Sequence, residues 1–270
     1  MGTCAHRKKE GEKMKVITIT NQKGGIGKTT TALCLGAELE QKGYKVLYID
    51  LDKQTDTSRT LRADLNAKGS YEMLADKMKA VDLIQITENG HHVITANDKL
   101  ATIDSVLNAP ARQKGREFLL KESLESIKDK YDYVIIDTLR DLNNATINAL
   151  TGTDYIIIPA TTDSFSQEGI ITLLNIVNVI KQYTNKELKT AGILLTMYDN
   201  RSNINKAFKE EIERTAEEYG TKVFNTTIRQ NVAIRESQAL KEPITTYAPK
   251  SNANQDYLNF TNELLKDIEG

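Results

Sequence analysis

Short apolar runs recur along this chain, and longer stretches with apolar residues three and four apart separate them. Strand-like runs fall at 15–20, Lys45 to Asp50, His92 to Ala96, Tyr133 to Asp137, Tyr155 to Pro159, Ala191 to Thr196 and Lys222 to Asn225. Several are apolar at every position, as in Val134-Ile135-Ile136 and Ile156-Ile157-Ile158. Strands read this way when both faces are covered, as in a parallel sheet between helices. Helical spacing predicts helices over Thr29 to Lys42, Arg116 to Lys130, Gln167 to Tyr183, Ile204 to Tyr219 and Asp256 to Ile268. The last places Tyr257, Phe260, Leu264 and Ile268 on one stripe. Alternation of the two periods predicts an α/β fold: a doubly wound, mostly parallel sheet flanked by helices. Residues 53–90 are less regular and are expected to form a helical excursion.

Sheets of this kind bind ligands at the carboxyl ends of their strands. The stretch Thr20-Asn21-Gln22-Lys23-Gly24-Gly25-Ile26-Gly27-Lys28-Thr29-Thr30 occupies such an end, between the first strand and the first helix. Glycines let the backbone wrap an anion, and the helix N-terminus adds partial positive charge. Lys28 can reach the β- and γ-phosphates of a nucleoside triphosphate, and the Thr29 hydroxyl can hold Mg²⁺. Gly24 to Gly27 with Lys28, Thr29 and Thr30 form the expected cradle. Two further strands end in acid: Tyr133 to Asp137, and Tyr48-Ile49-Asp50-Leu51-Asp52. Asp137 is expected at the metal, partly through water, since a bound triphosphate needs Mg²⁺ and a placed water.

Composition narrows the rest. The 270 residues carry a net charge of −1, so DNA binding, if present, needs a local patch. Cys4 and Cys34 cannot build a disulfide framework and suit a reducing cytosol. The adjacent histidines His91 and His92 read as surface residues. No apolar run is long enough to cross a bilayer, and the polar start lacks the apolar core of a signal peptide. Residues 1–13 are expected to be a disordered extension, with Met14 as an alternative start. Residues 14–270 are expected to form a single ATPase domain. The expected location is cytoplasmic.

A common phosphate loop has glycine where Gln22 stands, and here Lys23 stands beside it. That second lysine marks the deviant Walker A class of P-loop NTPases, and the stretch resembles the ParA partition ATPases within it. The resemblance runs from about Lys15 to the C-terminus. It takes in Leu195-Thr196-Met197-Tyr198-Asp199-Asn200-Arg201, Thr227-Ile228-Arg229-Gln230-Asn231-Val232 and Pro249-Lys250-Ser251. It looks like the short form, which is expected to lack an N-terminal helix-turn-helix. It implies a weak ATPase using ATP and Mg²⁺ that dimerises on ATP, with Lys23 crossing to the partner subunit's phosphates. It also implies non-specific, nucleoid-associated DNA binding, and release when a ParB-like centromere-binding protein stimulates hydrolysis. In the family's first switch, Asp52 would orient the attacking water and Asp50 would support the metal shell.

Both switches depart from the family pattern. Lys53-Gln54-Thr55 replaces Pro-Gln-Gly, and Leu139-Arg140 replaces two prolines. Fewer prolines predict looser switches, and Arg140 is a candidate contact to the γ-phosphate. The candidate DNA contacts are Arg201, Arg229, Arg235, Lys241 and Lys250, with the adenine pocket as an alternative place for Arg229. Two other readings are a nucleotide-binding regulator with little hydrolysis and a MinD-like positioning ATPase. The second needs a basic amphipathic C-terminal helix, whereas Asn259 to Gly270 has Lys266 against Glu263, Asp267 and Glu269. No membrane contact is therefore expected.

Overall fold

The computed structural model describes residues 13–112 and 114–269. Residues 1–12 of the expected extension lie outside them. Lys13 is described, with Nζ 3.5 Å from Asp154 Oδ1.

Eight strands form one sheet. They are β1 (Lys15–Ile19), β2 (Val46–Asp50), β3 (Gln85–Ile86), β4 (His92–Ile94), β5 (Tyr133–Asp137), β6 (Tyr155–Ala160), β7 (Lys189–Tyr198) and β8 (Ile228–Arg229). The order is β3-β4-β2-β5-β1-β6-β7-β8. Among the described residues the β3–β4 pairing at one edge is antiparallel and the other strand pairs are parallel. This is the doubly wound α/β architecture expected from the pattern.

Successive strand residues point to opposite faces, and both faces are apolar because both are covered. On one face Leu47, Ile49, Val134 and Ile136 pack with Met73, Leu120 and Leu124. On the other, Ile17, Ile19, Tyr48 and Ile135 pack with Leu35 and Leu39 of the helix Lys28–Gln41 and Phe260 and Leu264 of the helix Asn252–Glu269. Ile156, Ile158, Ile193 and Leu195 meet Leu173 and Val177 of the helix Ser164–Tyr183. Each such side chain contributes about 1.5–3 kcal/mol when fully buried.

Two expectations are corrected. Lys222 to Asn225 makes a single bridge, Ile193 to Val223, and the ladder resumes only at β8. The Glu263 carboxylate captures the Asn225 and Thr226 N–H groups at 2.7 and 2.8 Å, so they are lost to the sheet. Phe224 turns into an edge-on contact with Phe260 at 5.0 Å between ring centres. The helix expected over Arg116 to Lys130 is shorter, Leu119–Leu124, and tightens into a 3₁₀ turn at Glu125–Ile127. The excursion at 53–90 contains helices Asp56–Thr60 and Ser70–Ala75, and it also supplies β3.

Candidate nucleotide site

Sheet register assembles the site first. Ile19 pairs with Asp137, and Asp137 pairs with Asp50. Three neighbouring strands therefore stop in one row, with two buried carboxylates side by side. β1 sits between β5 and β6, where the chain passes from one half of the sheet to the other. The loop after β1 thus occupies the switch point.

Gly25 and Gly27 of that loop have φ of 72° and 86°, a region where side chains are strained. Gly27 directly precedes the helix Lys28–Gln41, whose first turn has neither a side-chain cap nor an acid. The helices starting at Asn144, Ser164, Asn203 and Val232 are each capped, by Asn143, Asp163, Ser202 and Asn231. The uncapped N–H groups are open to an external anion. Neighbouring strands brace the loop. Thr196 Oγ1 donates to the Ile26 carbonyl at 2.8 Å, and Asn21 Nδ2 donates to the Pro159 carbonyl at 2.7 Å.

Lys28 arches back over the loop, and its Nζ donates to the Lys23 carbonyl at 2.9 Å. Burial lowers its pKa, while the charges of Asp137 and Asp52 push it up. A phosphate oxygen is a stronger acceptor than that carbonyl.

Asp137 Oδ2 accepts from Thr57 Oγ1 at 2.8 Å, whereas its buried Oδ1 has no partner. Burial raises the pKa of this carboxyl and the neighbouring Asp50 adds to the rise, against the Thr29 and Thr57 hydroxyls. A buried acid oxygen without a donor, beside a threonine at a helix start, fits a hard cation held by oxygen.

Asp50 Oδ2 accepts from Ser58 N at 2.9 Å and Ser58 Oγ at 2.6 Å, and its Oδ1 from Asp52 N at 2.9 Å. With those bonds it braces the Asp52 turn beside Asp137.

A cavity of about 680 Å³ opens above the loop, within the range of roughly 300–1,000 Å³ usual for ligand sites. Gly24, Lys28, Thr29, Asp52 and Arg140 line one side, with Lys53 and Gln54 at the switch. Met197, Ile228, Arg229, Ile234 and Arg235 line the other. One side thus suits phosphates, and the other offers apolar surface for a base.

Both switches contact the rest of the fold. Thr55 has a left-handed backbone at φ 59°, and its Oγ1 accepts from Arg59 Nε at 2.7 Å. Leu139 is buried in the core, and Thr138 Oγ1 donates to the Ile19 carbonyl at 3.0 Å.

Lys23 lies beside the loop, with Nζ on the Asp163 carboxylate, 3.1 Å from Thr161 Oγ1 and 3.3 Å from Ser166 Oγ. Within one chain this lysine is therefore held in cis. Arg229 grips Asp256 with Nε at 2.9 Å and Nη2 at 2.7 Å. Its fork is engaged, and it lines the wall of the cavity. Arg201 is exposed and bonded to Asp199 at 3.1 Å. Lys241 ends the helix Val232–Leu240, and Lys250 lies in the turn before the C-terminal helix. Of the five candidate DNA contacts, only Arg229 and Arg235 meet at the cavity.

Sequence reading missed Thr57, Ser58, Thr161 and Asp163. The polar run Asp56-Thr57-Ser58 after an acid-ended strand was one available signal. Asp163 just before the apolar helical run was another, since Asp is a favoured helix N-cap residue.

Fold, switch-point loop and paired acids define the class: a P-loop nucleotide-binding protein. The AAA domain family matches residues 14–190. The chain is 37% identical over 254 residues to the sporulation initiation inhibitor protein Soj of Bacillus subtilis, covering 93% of this chain and 98% of that one. It is 33% identical over 257 residues to the chromosome partitioning protein ParA of Caulobacter vibrioides, covering 93% and 94%. A plasmid partition protein from Borrelia burgdorferi bound to AMPPNP superposes with a TM-score of 0.75 at 25% identity, covering 95% and 98%. Cobyrinic acid a,c-diamide synthase from Mycobacterium smegmatis, with an ATP analogue and magnesium, superposes at 0.81 with 28% identity, covering 95% and 96%. The chain belongs to the ParA/MinD-type P-loop ATPases.

Proposed function

We propose that this chain is a DNA-partition ATPase that dimerises on ATP, binds DNA without sequence preference and lets go when a ParB-like partner stimulates hydrolysis. The single observation that carries the nucleotide part is the uncapped, glycine-led helix start with Lys28 folded over it. The Soj and ParA relatives, at 37% and 33% identity over 93% of this chain, support the cellular role.

In this reading the loop N–H groups and Lys28 bind the phosphates. Thr29 and Asp137 would hold Mg²⁺, which supplies charge neutralisation at the β- and γ-oxygens. Asp52 receives a hydrogen bond from the attacking water and sets its line of approach. Lys23 leaves Asp163 for the partner subunit's triphosphate, tying dimerisation to nucleotide state. Unstimulated turnover is expected to be slow, since related switches run at roughly 10⁻⁴ to 10⁻² s⁻¹ without help. Arg201, Arg235, Lys241 and Lys250 remain the proposed DNA contacts. The stripe Tyr257, Phe260, Leu264 and Ile268 is buried against the core, which disfavours a MinD-like membrane helix. No helix of the described residues is long and apolar enough to cross a membrane. The protein then works in the cytoplasm, on the nucleoid.

Filter binding tests this. DNA retention at low salt is expected with Mg²⁺ and ATP and not with ADP. Equal retention with both, or none with either, would reject the proposal.

A further inference from the structure

Arg140 follows the acid-ended strand β5 by three residues, and its surroundings give it a definite position. On one side, Thr138 is tied to the Ile19 carbonyl and Leu139 is packed in the core. On the other, the Asp141 carbonyl accepts from Thr146 Oγ1 at 2.8 Å, in the turn capped by Asn143. Arg140 is thus one exposed residue between two anchored ones.

Its side chain runs into the nucleotide cavity and lies along the glycine loop. A methyl group on the Gly24 α-carbon would sit 3.6 Å from Arg140 Nη1 and 3.9 Å from its Cδ. Lys28 Nζ lies over the carbonyl of Lys23, the residue before Gly24. The two cations converge on one end of the loop, and the charge of Arg140 is felt at Lys28 as a repulsion. Asp52, Asp137 and Asp141 are also felt there. No hydrogen bond or ion pair among the described residues holds the Arg140 guanidinium. The helix start takes the α- and β-phosphates, and the loop lysine reaches the β- and γ-phosphates. The end shared by Lys28 and Arg140 is therefore the γ end.

We infer that Arg140 is a specificity-determining residue that reads the γ-phosphate from within the same chain, so that this site distinguishes ATP from ADP more sharply than its loop alone would. Guanidinium suits this task, because its fork bonds two phosphate oxygens at once. The inference rests on the nucleotide reading above and adds a cation in cis to the one that Lys23 would bring in trans.

Binding of ADP and of the β,γ-imido analogue of ATP, both with Mg²⁺, should be measured by calorimetry for the wild type, R140A, R140K and K28A. R140A is expected to weaken the triphosphate on the order of ten- to a hundredfold, while ADP changes less than about twofold. R140K should fall between. Equal weakening of both ligands, or no change in either, would overturn the inference, as would lost self-association with unchanged triphosphate affinity. A wild type that binds neither nucleotide, or a K28A that binds both normally, would instead remove the nucleotide site and this inference with it. Unchanged thermal unfolding of R140A separates the effect from misfolding.

Discussion

Asp137→Asn tests the metal side of the site without any ligand. Asp137 and Asp50 are cross-strand neighbours, 1% and 0% exposed. Adjacent strands lie about 4.8 Å apart, so at an effective dielectric of about 20 two full charges there repel by about 3 kcal/mol. Burial raises both carboxyls above the ordinary carboxylate value; the charge of Asp50 adds to the rise at Asp137, and that of Asp52 to the rise at Asp50. The folded apoprotein therefore binds more protons than the unfolded chain between the ordinary value and the raised ones, and its stability falls as pH rises through that window. The asparagine carbonyl can keep the bond from Thr57 while removing one charge. Asp137→Asn should thus stabilise the apoprotein by about 1–3 kcal/mol above the window, with little effect below it. At about 2–4 °C per kcal/mol, thermal melts from pH 5 to pH 8 resolve this. The variant should also lose the Tm gain that Mg²⁺ with triphosphate gives the wild type. A variant less stable than the wild type at pH 8, or one with the full ligand-induced gain, would refute the reasoning.

Other substitutions probe separate parts of the account. Asp163→Asn keeps the helix cap but removes the counter-charge of Lys23. The pair is about one-third exposed and contributes about 0.5–1 kcal/mol. Freeing two lysines per dimer should tighten triphosphate-dependent dimerisation about 5- to 30-fold, read by sedimentation equilibrium. Gly36→Ala would drive a methyl to 2.2 Å from the buried Tyr48 ring and should cost about 1–3 kcal/mol in urea unfolding. If each subunit meets ~3 phosphates, log–log salt plots of DNA affinity should slope about −5.4 for a dimer and about −2.7 for a monomer. For Glu263, burial works against the charge, but bonds from Thr226 and Asn225 outweigh it and lower its pKa. Its contribution is present above the ordinary glutamate value and lost as pH falls through the folded one, so Glu263→Gln should lose stability at pH 7 but little at pH 3.

Much of the fold was legible because parallel strands announce themselves. Val134-Ile135-Ile136 can satisfy only a doubly covered strand, and the loop at Gly24 to Thr30 fixes what precedes and follows it. Edges were less legible. Lys222 to Asn225 has strand composition, yet Glu263, 38 residues beyond Asn225, takes its N–H groups. No local pattern encodes that. The site divides the same way. Lys28, Thr29 and Asp137 could be placed by motif and strand end. The bonds from Ser58 to Asp50 could not be foreseen, because Ser58 lies in a helix of only five residues. Arg229 was left between the adenine pocket and a DNA contact, because its partner, Asp256, sits on a different element. Thr55 adopts a left-handed backbone that a threonine rarely takes, so its residue type gave no sign of that turn.

The central claim is that two copies close over their nucleotides, each contributing Lys23 to the other. Sedimentation velocity of the wild type and Lys23→Ala, with Mg²⁺ and the β,γ-imido analogue of ATP, tests it most directly. The account predicts a dimer for the wild type with that analogue, a monomer with ADP, and a monomer for Lys23→Ala with either. A Lys23→Ala dimer as tight as the wild type's, or a wild type that stays monomeric with the triphosphate, would contradict it.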